Sequence, residues 1–202
     1  IHYTTDGSEP TATSPLYEKI VPVKEALTLK GATFAYGRQM GKTLILPVRW
    51  NLATAKPVLG TNPTEKLLTN GIRGSLKYSD FEWCSWADND SVSFTIDLLK
   101  PEMLNTLTLG CITNNGMAIH KPASVRVEVS DDNSKFREAV VQSFTSEEIF
   151  REGNFIENLS LKLGGTQARY VRVTAKGPGV CPASHVRPGQ TSRIFFDEVM
   201  LE

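Results

Sequence analysis

Short stretches in which apolar and polar residues alternate recur along this chain, and they constrain its fold more than any other feature. The clearest is Ser91–Leu98, where Val92, Phe94, Ile96 and Leu98 alternate with polar residues. Successive side chains on a strand point to opposite faces, so this segment predicts a strand with one buried face. No long amphipathic helix pattern is evident, and the sequence therefore predicts an all-β fold.

Further strand segments follow in the second part of the chain. Polar turn clusters such as Asp131–Ser134 separate them, and Glu147–Arg151 predicts one helical turn. About seven or eight short antiparallel strands predict a β-sandwich or jelly roll. These segments are Leu107–Leu109, Val125–Val129, Asn158–Leu163, Arg169–Val173 and Ile194–Leu201.

The N-terminal part of the chain predicts a smaller β-domain. Its strand segments are Ile1–Thr5, with Ile1, Tyr3 and Thr5 on one face, then Leu27–Phe34 and Thr43–Trp50, and Asp6–Pro10 predicts a turn. The polar connector Asn51–Asn62 predicts a boundary, which gives domains over 1–52 and 57–202. Because the chain opens inside a strand, we expect it to be a fragment of a longer protein.

Charge and cysteine content narrow the functional classes. Lys plus Arg and Asp plus Glu both number 22, which argues against nucleic acid and membrane surfaces as partners. No apolar run is long enough for a transmembrane helix. Cys84, Cys111 and Cys181 show no CxxC spacing, so free thiols are favoured over a disulfide framework, with one disulfide left open.

Two segments near the N-terminus carry a family resemblance. Tyr3–Thr11 and Ser14–Tyr17 resemble the small C-terminal β-domain of bacterial chitobiases and β-N-acetylhexosaminidases. The resemblance implies an Ig/fibronectin-like domain that is truncated at its N-terminus. It also implies a parent glycosidase whose upstream domains are partners of this region, in the periplasm, at the cell surface or secreted.

Six motifs occur in order in the second part of the chain: Leu68–Gly71, Trp83, Ile96–Leu98, Val127–Asp132, Ala168–Val173 and Phe196–Val199. Together they resemble the discoidin fold of coagulation factor V/VIII C-type domains and family 32 carbohydrate-binding modules. The resemblance implies a non-catalytic accessory region that targets a chitobiase-like enzyme to glycans ending in galactose or N-acetylhexosamines. The alternative is that both β-domains only brace a catalytic barrel or a protein partner; phospholipid binding is least favoured.

The adjacent acids Asp197 and Glu198 invite comparison with the catalytic pair of family 20 hexosaminidases. Neighbouring strand residues point to opposite faces and cannot converge on one sugar without a bulge. The alternating strands and helices of a catalytic barrel are also missing from this sequence. We therefore predict no catalytic residue and no enzyme in this chain.

The discoidin resemblance implies a structural Ca²⁺ site instead. Oxygen ligands in a tight loop suit Ca²⁺, and Asn70 stands where the family usually has Asp, which weakens the site. The alternative is a simple turn at Asn70 and a buried, hydrogen-bonded Glu198. The implied ligands are the side chains of Asn70, Ser75 and Glu198 and the carbonyls of Leu67, Ile72 and Asp197.

Three loops are candidates for carbohydrate binding, which needs an apolar platform and planar polar groups. They are the aromatic loop 78–86, the amide-rich loop 114–120 and the irregular loop 181–190. Within the first, Trp83 matches a core position, whereas Phe81 and Trp86 are divided between platform and packing. The candidate residues are Tyr78, Asp80, Phe81, Trp86, Asn114, Asn115, His120, His185 and Arg187.

Overall fold

The structure is a computed structural model that describes residues 1–86 and 91–202. The chain divides into two compact units, Ile1–Trp50 and Asn51–Glu202. Both units are built from β-strands, and the short helices and turns serve as connections. The predicted all-β fold class is confirmed.

The first unit contains a three-stranded antiparallel sheet in the order β1-β2-β5 and a separate β3-β4 hairpin. Tyr36 and Gly37, which join β3 to β4, both have positive φ angles (51° and 73°), as a tight two-residue hairpin turn requires. The strands are β1 His2–Thr4, β2 Leu27–Ala32, β3 Phe34–Ala35, β4 Arg38–Gln39 and β5 Leu44–Val48.

Strand β1 does not show the alternation that its sequence predicts. Ile1 and Thr5 are exposed, and the three residues of His2–Thr4 are all half-buried. The reason is that β1 is short, so Ile1 and Thr5 lie beyond its ends, while its second side is covered by the segment 15–17 through the His2–Leu16 bridge. The turn that follows is confirmed, since the Ser8 amide donates to Asp6 Oδ1 over 3.0 Å.

The second unit is a β-sandwich in which two long strands serve both layers. The strands are β6 Val58–Leu59, β7 Cys84–Trp86, β8 Ser91–Asn114, β9 Ser124–Ser130, β10 Arg137–Ser143, β11 Asn154–Lys176 and β12 Ile194–Leu201. The second half of β8 pairs with the first half of β11 and with β12, and its first half pairs with the second half of β11 and with β6.

Two expectations about strand bounds are corrected in this unit. The segments Ser91–Leu98 and Leu107–Leu109 belong to one strand, β8, and Asn158–Leu163 and Arg169–Val173 both belong to β11. Register shifts after Lys162 and Ala168 bend the β8–β11 pair without ending it. The two glycines at 164 and 165 adopt positive φ angles of 66° and 76° at the bend.

The core of the sandwich lies between the two layers. Val92, Phe94, Ile96 and Leu98 are all buried, at 4% exposure or less, which confirms the face predicted from their alternation. They pack in one cluster with apolar residues of β9, β11 and β12. Removal of these apolar side chains from water is the main favourable contribution to the folding of the unit.

The only α-helix among the described residues is α1, Ser146–Ile149, at the position of the predicted helical turn. The Thr145 hydroxyl accepts from the Glu148 amide and the Glu148 carboxylate accepts from the Thr145 amide, a capping box that starts the helix. Two short 3₁₀ helices, Glu65–Thr69 and Asn115–Met117, complete the unit.

Candidate functional site

Asp197 and Glu198 lie on a β-bulge of β12. Phe196 pairs with Cys111 and Val199 with Leu109, so one extra residue is inserted between these two pairs. The bulge turns both carboxylates toward the loop 70–75, and both side chains are fully buried. A bulge that lets two neighbouring strand residues turn to the same side therefore exists here, but it directs the two acids to a buried loop.

The Asp197 carboxylate anchors this loop. Its Oδ2 accepts from Arg73 Nε at 2.7 Å and from the Gly74 amide at 2.9 Å. Burial raises the pKa of Asp197, and the Arg73 guanidinium opposes that rise. A Cβ at Gly110 would stand 2.0 Å from Asp197 Oδ1, so the bulge needs glycine on the facing strand.

The Glu198 carboxylate is only half satisfied within the described part of the chain. Its Oε2 accepts from the Gly71 amide at 3.1 Å, whereas the buried Oε1 has no hydrogen-bond partner there. Burial raises the pKa of Glu198 to about 9, against the lowering effect of the Gly71 amide. Such a carboxylate binds either a proton or a cation at neutral pH.

Asn70 sits beside Glu198 at the start of the same loop. Its Oδ1 accepts from the Ile72 amide at 2.8 Å, and its Nδ2 donates to Glu82 Oε2 at 2.7 Å. The Leu67 carbonyl accepts from the Asn70 amide at 3.3 Å. Hydrogen bonds of one loop thus link four of the implied calcium ligand residues, which are Leu67, Asn70, Ile72 and Glu198. Glu82 adds a carboxylate that was not among the residues predicted from the sequence.

Ser75 is the most exposed of the implied ligands. Its hydroxyl accepts from the Lys77 amide at 3.2 Å, and its own amide donates to Asp80 Oδ2 at 2.7 Å. Asp80 Oδ1 also accepts from the Glu82 amide. Both Asp80 oxygens therefore stabilise the loop, which leaves less of this carboxylate for a sugar.

The aromatic loop divides into one exposed ring and three packed ones. Phe81 is 93% exposed, whereas Trp86 is buried and stacks on Phe94 at 6.2 Å between ring centroids. Trp86 is thus a core residue, and its prediction as a carbohydrate contact is corrected, because its ring has almost no surface to offer. Trp83 is buried as predicted, and Tyr78 packs edge-on against Phe195.

Backbone hydrogen bonds connect the loop 114–120 to Arg193, which follows the loop 181–190 in the chain. The His120 amide donates to the Arg193 carbonyl at 3.1 Å, and the Arg193 amide donates to the Ala118 carbonyl at 2.9 Å. Side chains also meet, since the His120 and His185 rings lie 5.0 Å apart edge to face. The structure therefore brings together two of the three loops that the sequence singled out.

His120 forms the buried centre of this junction and has no exposed surface. It cannot touch a sugar in this conformation, which corrects its prediction as a direct contact. Phe150 from the end of α1 packs against both His120 (5.1 Å) and His185 (6.1 Å). Burial lowers the pKa of His120 to about 4, and His185 adds to the lowering, whereas an interaction with the Ile149 backbone opposes it.

A groove opens beside the junction. Two adjoining cavities of about 110 and 440 Å³ share the lining residues Phe150, Glu152, Pro182 and Ser184, and we call them together the 150–184 groove. Asn115 and His185 line the smaller cavity. The buried Oδ1 of Asn115 has no hydrogen-bond partner among residues 1–86 and 91–202.

The remaining sugar candidates lie around this junction. Arg187 is exposed, and its Nη1 donates to Gln190 Oε1 at 3.3 Å, while its amide donates to His185 Nδ1 at 3.0 Å. Asn114 is half-buried and exchanges two backbone hydrogen bonds with Ile119. The exposed Arg187 is thus available to a ligand, whereas the backbone of Asn114 closes the amide-rich loop.

Comparison with known families agrees with this architecture. The F5/8 type C domain matches residues 53–186, which is more than half of the chain. The chain belongs to the F5/8 type C domain family. Residues 1–44 match the chitobiase/β-hexosaminidase C-terminal domain. Both resemblances drawn from the sequence are thereby confirmed, and both matched domains are non-catalytic accessory modules.

Several solved structures are similar to this F5/8 type C protein. CpGH89CBM32-6 of Clostridium perfringens is 18% identical, with a TM-score of 0.49, over 76% of this chain and 98% of that one. A fucose-binding module of Streptococcus pneumoniae is 17% identical, with a TM-score of 0.46, over 76% and 97%. The C-terminal domain of a Bacteroides fragilis chitobiase is 16% identical, with a TM-score of 0.41, over 68% and 78%.

At these identities and TM-scores, none of the three structures assigns a ligand to this F5/8 type C domain. No curated protein matches the chain. Among the described residues, no helix has the length and apolar character needed to span a membrane.

Sequence reasoning missed the residues that shape the 150–184 groove. Phe150 and Glu152 follow a four-residue helix, and nothing in their local pattern separates them from ordinary surface positions. The Thr145 capping box was a signal for the helix start, since Thr and Glu stand three residues apart. It could have drawn attention to the end of that helix, where Phe150 lies.

Proposed function

We propose that the F5/8 type C domain binds glycans in the 150–184 groove. The observation that carries this proposal is the groove itself, which brings Phe150 together with the exposed polar residues Glu152 and Ser184. Asn115 lines its smaller cavity with a buried Oδ1 that has no partner among the described residues, and a rotation of this side chain would present the acceptor to a ligand. A sugar offers both complements, because its hydroxyls donate hydrogen bonds and its C–H face packs on an apolar ring. Glu152 and Ser184 add acceptors at the rim.

We propose glycans ending in galactose or an N-acetylhexosamine as the ligand class. A short groove that holds one or two sugar units binds weakly, with dissociation constants from about millimolar to tens of micromolar, or about −4 to −6 kcal/mol. Such affinity becomes useful when the module is tethered to an enzyme that acts on the same surface. The chitobiase-type match at residues 1–44 supports such a parent, with upstream domains as partners in the periplasm or at the cell surface.

The test is isothermal titration of the full chain with galactose, N-acetylgalactosamine, N-acetylglucosamine and their oligomers. We expect binding of at least one sugar, and a loss of about five- to tenfold in affinity for Asn115→Ala, whose lost hydrogen bond is worth about 1–1.5 kcal/mol. Asn105→Ala is the control, since Asn105 is an exposed asparagine on β8 and does not line the groove. Circular dichroism checks that both variants keep the β fold.

Phe81→Ala separates the two candidate platforms. Loss of binding in this variant with full binding in Asn115→Ala moves the site to the aromatic loop and overturns the groove. A chain that binds none of the sugars supports the alternative, in which both β-domains brace a catalytic barrel or a partner.

We also propose a structural Ca²⁺ held by the loop 70–75 and the β12 bulge. Hard oxygen ligands suit this ion. The proposed ligands are the Glu198 carboxylate, Asn70 Oδ1, the Ser75 hydroxyl and the carbonyls of Leu67, Ile72 and Asp197. The partnerless, buried Glu198 Oε1 supports the fit within the described residues. Glu82, bonded to the Asn70 amide, returns the negative charge that Asn70 lacks relative to an aspartate.

Thermal unfolding in excess EDTA and in millimolar CaCl₂ tests the calcium site. We expect a higher melting temperature with Ca²⁺, because a ligand that binds only the folded state stabilises it. Glu198→Gln should remove the increase, and MgCl₂ should reproduce little of it, since Mg²⁺ demands a stricter octahedral site. Equal melting temperatures with EDTA and CaCl₂ would overturn this proposal without touching the glycan groove.

A further inference from the structure

Two histidines and a cysteine meet in the interior of the loop junction. His120, Cys181 and His185 are buried, and one ligand atom from each lies within 4.8 Å of the other two. These atoms are nitrogens and a sulfur, which are ligands that Zn²⁺ prefers and that Ca²⁺ and Mg²⁺ do not. The cluster is therefore chemically separate from the oxygen-lined loop 70–75.

Backbone hydrogen bonds hold the loop 181–190 in a closed form around this cluster. The Cys181 amide donates to the Gln190 carbonyl at 2.9 Å, and the Gly189 amide donates back to the Cys181 carbonyl at 3.0 Å. The His185 amide donates to the Pro182 carbonyl at 3.0 Å. With His120 fixed by its bond to the Arg193 carbonyl, all three side chains start from defined backbone positions before any ligand arrives.

Three of the four histidine nitrogens at this junction lack a hydrogen-bond partner in the described part of the chain. Within residues 1–86 and 91–202, no hydrogen bond of ordinary geometry reaches either ring nitrogen of His120 or His185 Nε2. The nearby Ile149 backbone favours a protonated His120 but falls short of such a bond. His120 is fully buried and His185 is 8% exposed. A buried polar group left unpaired costs free energy, and a bound cation is one way to recover that cost.

We propose that His120, Cys181 and His185 form a binding site for a borderline transition-metal ion, with Zn²⁺ as its probe. Bonds of about 2.1 Å to nitrogen and 2.3 Å to sulfur put the ligand atoms of one tetrahedron about 3.3–3.6 Å apart, so small side-chain rotations suffice. The small cavity beside His185 gives room for a water as the fourth ligand. Coordination releases the Cys181 thiol proton to solvent, because the thiolate is the ligand.

Two existing contacts must change when the metal binds. Cys181 Sγ lies 3.3 Å from Ser192 Oγ, and the thiolate can keep this hydroxyl as a donor. His185 Nδ1 accepts from the Arg187 amide at 3.0 Å. Metal binding at Nδ1 displaces that amide, and binding at Nε2 moves the ring proton to Nδ1, so the Arg187 amide loses its acceptor in either case.

The test uses the full chain, stripped with EDTA and then titrated with Zn²⁺ or Co²⁺ in the presence of millimolar CaCl₂. We expect one equivalent to bind, and Co²⁺ to show the intense visible bands of a tetrahedral site with a thiolate ligand. Cys181→Ser should weaken Zn²⁺ binding by roughly 100-fold or more, since even outer-sphere changes cost 10- to 100-fold. Cys84→Ser is the matched control, because Cys84 is also buried but packs in the main core.

Two further measurements guard against a merely misfolded variant. His185→Gln changes the least buried histidine of the cluster and should also lose the cobalt bands while keeping the far-ultraviolet spectrum. In the ¹⁵N-labelled parent chain, Zn²⁺ should shift the Arg187 amide. Absence of Zn²⁺ uptake, or uptake that Cys181→Ser leaves unchanged in a folded protein, overturns the proposal, and either result leaves the glycan and calcium proposals intact.

Discussion

Removal of one partner from the buried Arg73–Asp197 ion pair should strongly destabilise the sandwich. Asp197 is fully buried, the Arg73 side chain is 18% exposed, and Nε lies 2.7 Å from Oδ2. In Arg73→Met the carboxylate loses its guanidinium partner and keeps backbone amides, chiefly that of Gly74, so it must either remain charged in the core or take up a proton. Breaking buried pairs in this way costs about 3–5 kcal/mol.

The assay is urea unfolding at pH 7 in EDTA, followed by the fluorescence of the buried Trp83 and Trp86. With a slope of about 2 kcal/mol per molar urea, the expected loss lowers the midpoint by about 1.5–2.5 M. Arg126→Met is the matched control. Its ion pair with Glu138 is about half exposed on both sides, and such pairs contribute about 1 kcal/mol or less.

A second substitution tests the cause of the loss. Asp197→Asn removes the charge that Arg73→Met leaves unpaired but keeps an acceptor for the Gly74 amide, so the double variant should be more stable than the sum of the two single losses predicts. A loss below about 1 kcal/mol in Arg73→Met, or strict additivity in the double variant, would refute the reasoning that an uncompensated buried charge dominates.

Four further predictions follow from single contacts. Gly74→Ala should lower the free energy of unfolding by about 2 kcal/mol or more and shift the tryptophan emission, because the added Cβ would lie 2.3 Å from the Trp83 ring. Gly116→Ala is the control, since its Cβ would meet nothing closer than 3.4 Å. Without Ca²⁺, the free energy of unfolding should fall as the pH rises from about 5 to 9. The reason is that folded Glu198, with its pKa raised to about 9, holds a proton that the unfolded chain releases above the ordinary pKa of 4.5. Glu198→Gln should flatten this trend, and urea midpoints that rise over the same range would contradict it. Thr145→Ala should cost about 1 kcal/mol through loss of the helix cap, measured by urea unfolding against Thr13→Ala in the other unit, and an unchanged midpoint would count against the cap. Cys84, with its pKa raised to about 12 by burial, should resist iodoacetamide in the native chain and react after denaturation, as followed by mass spectrometry; rapid native alkylation would contradict its burial.

The fold was predictable because its information is local. Val92 to Leu98 alternate in the sequence, and one face of that segment is buried in the structure. The pattern failed for the short strand β1, because Ile1 and Thr5 lie beyond its ends and are exposed. It also could not show that β8 and β11 run on through both layers, since bends at register shifts leave the alternation intact on either side.

The candidate site was less predictable because burial of its residues is decided by distant parts of the chain. An aromatic loop gives no local sign of which rings turn inward, and Phe81 and Trp86 end at opposite extremes of exposure. His120 is buried because Phe150 and His185 pack on its ring, and both lie far from it in sequence. A residue type suited to sugar binding can thus be identified from sequence, whereas its access to a sugar cannot.

The bulge at Asp197 and Glu198 shows how one inserted residue decides between functions. Without the insertion, the two carboxylates would face opposite sides of β12, and one of them would enter the apolar core. With it, both turn to the loop 70–75, where Asp197 anchors Arg73 and Glu198 keeps one oxygen without a partner among the described residues. The bulge needs the space that Gly110 leaves on the facing strand, since any Cβ there would meet Asp197. Gly110 is therefore as necessary to the proposed calcium site as its ligands, although it offers no ligand atom beyond its backbone.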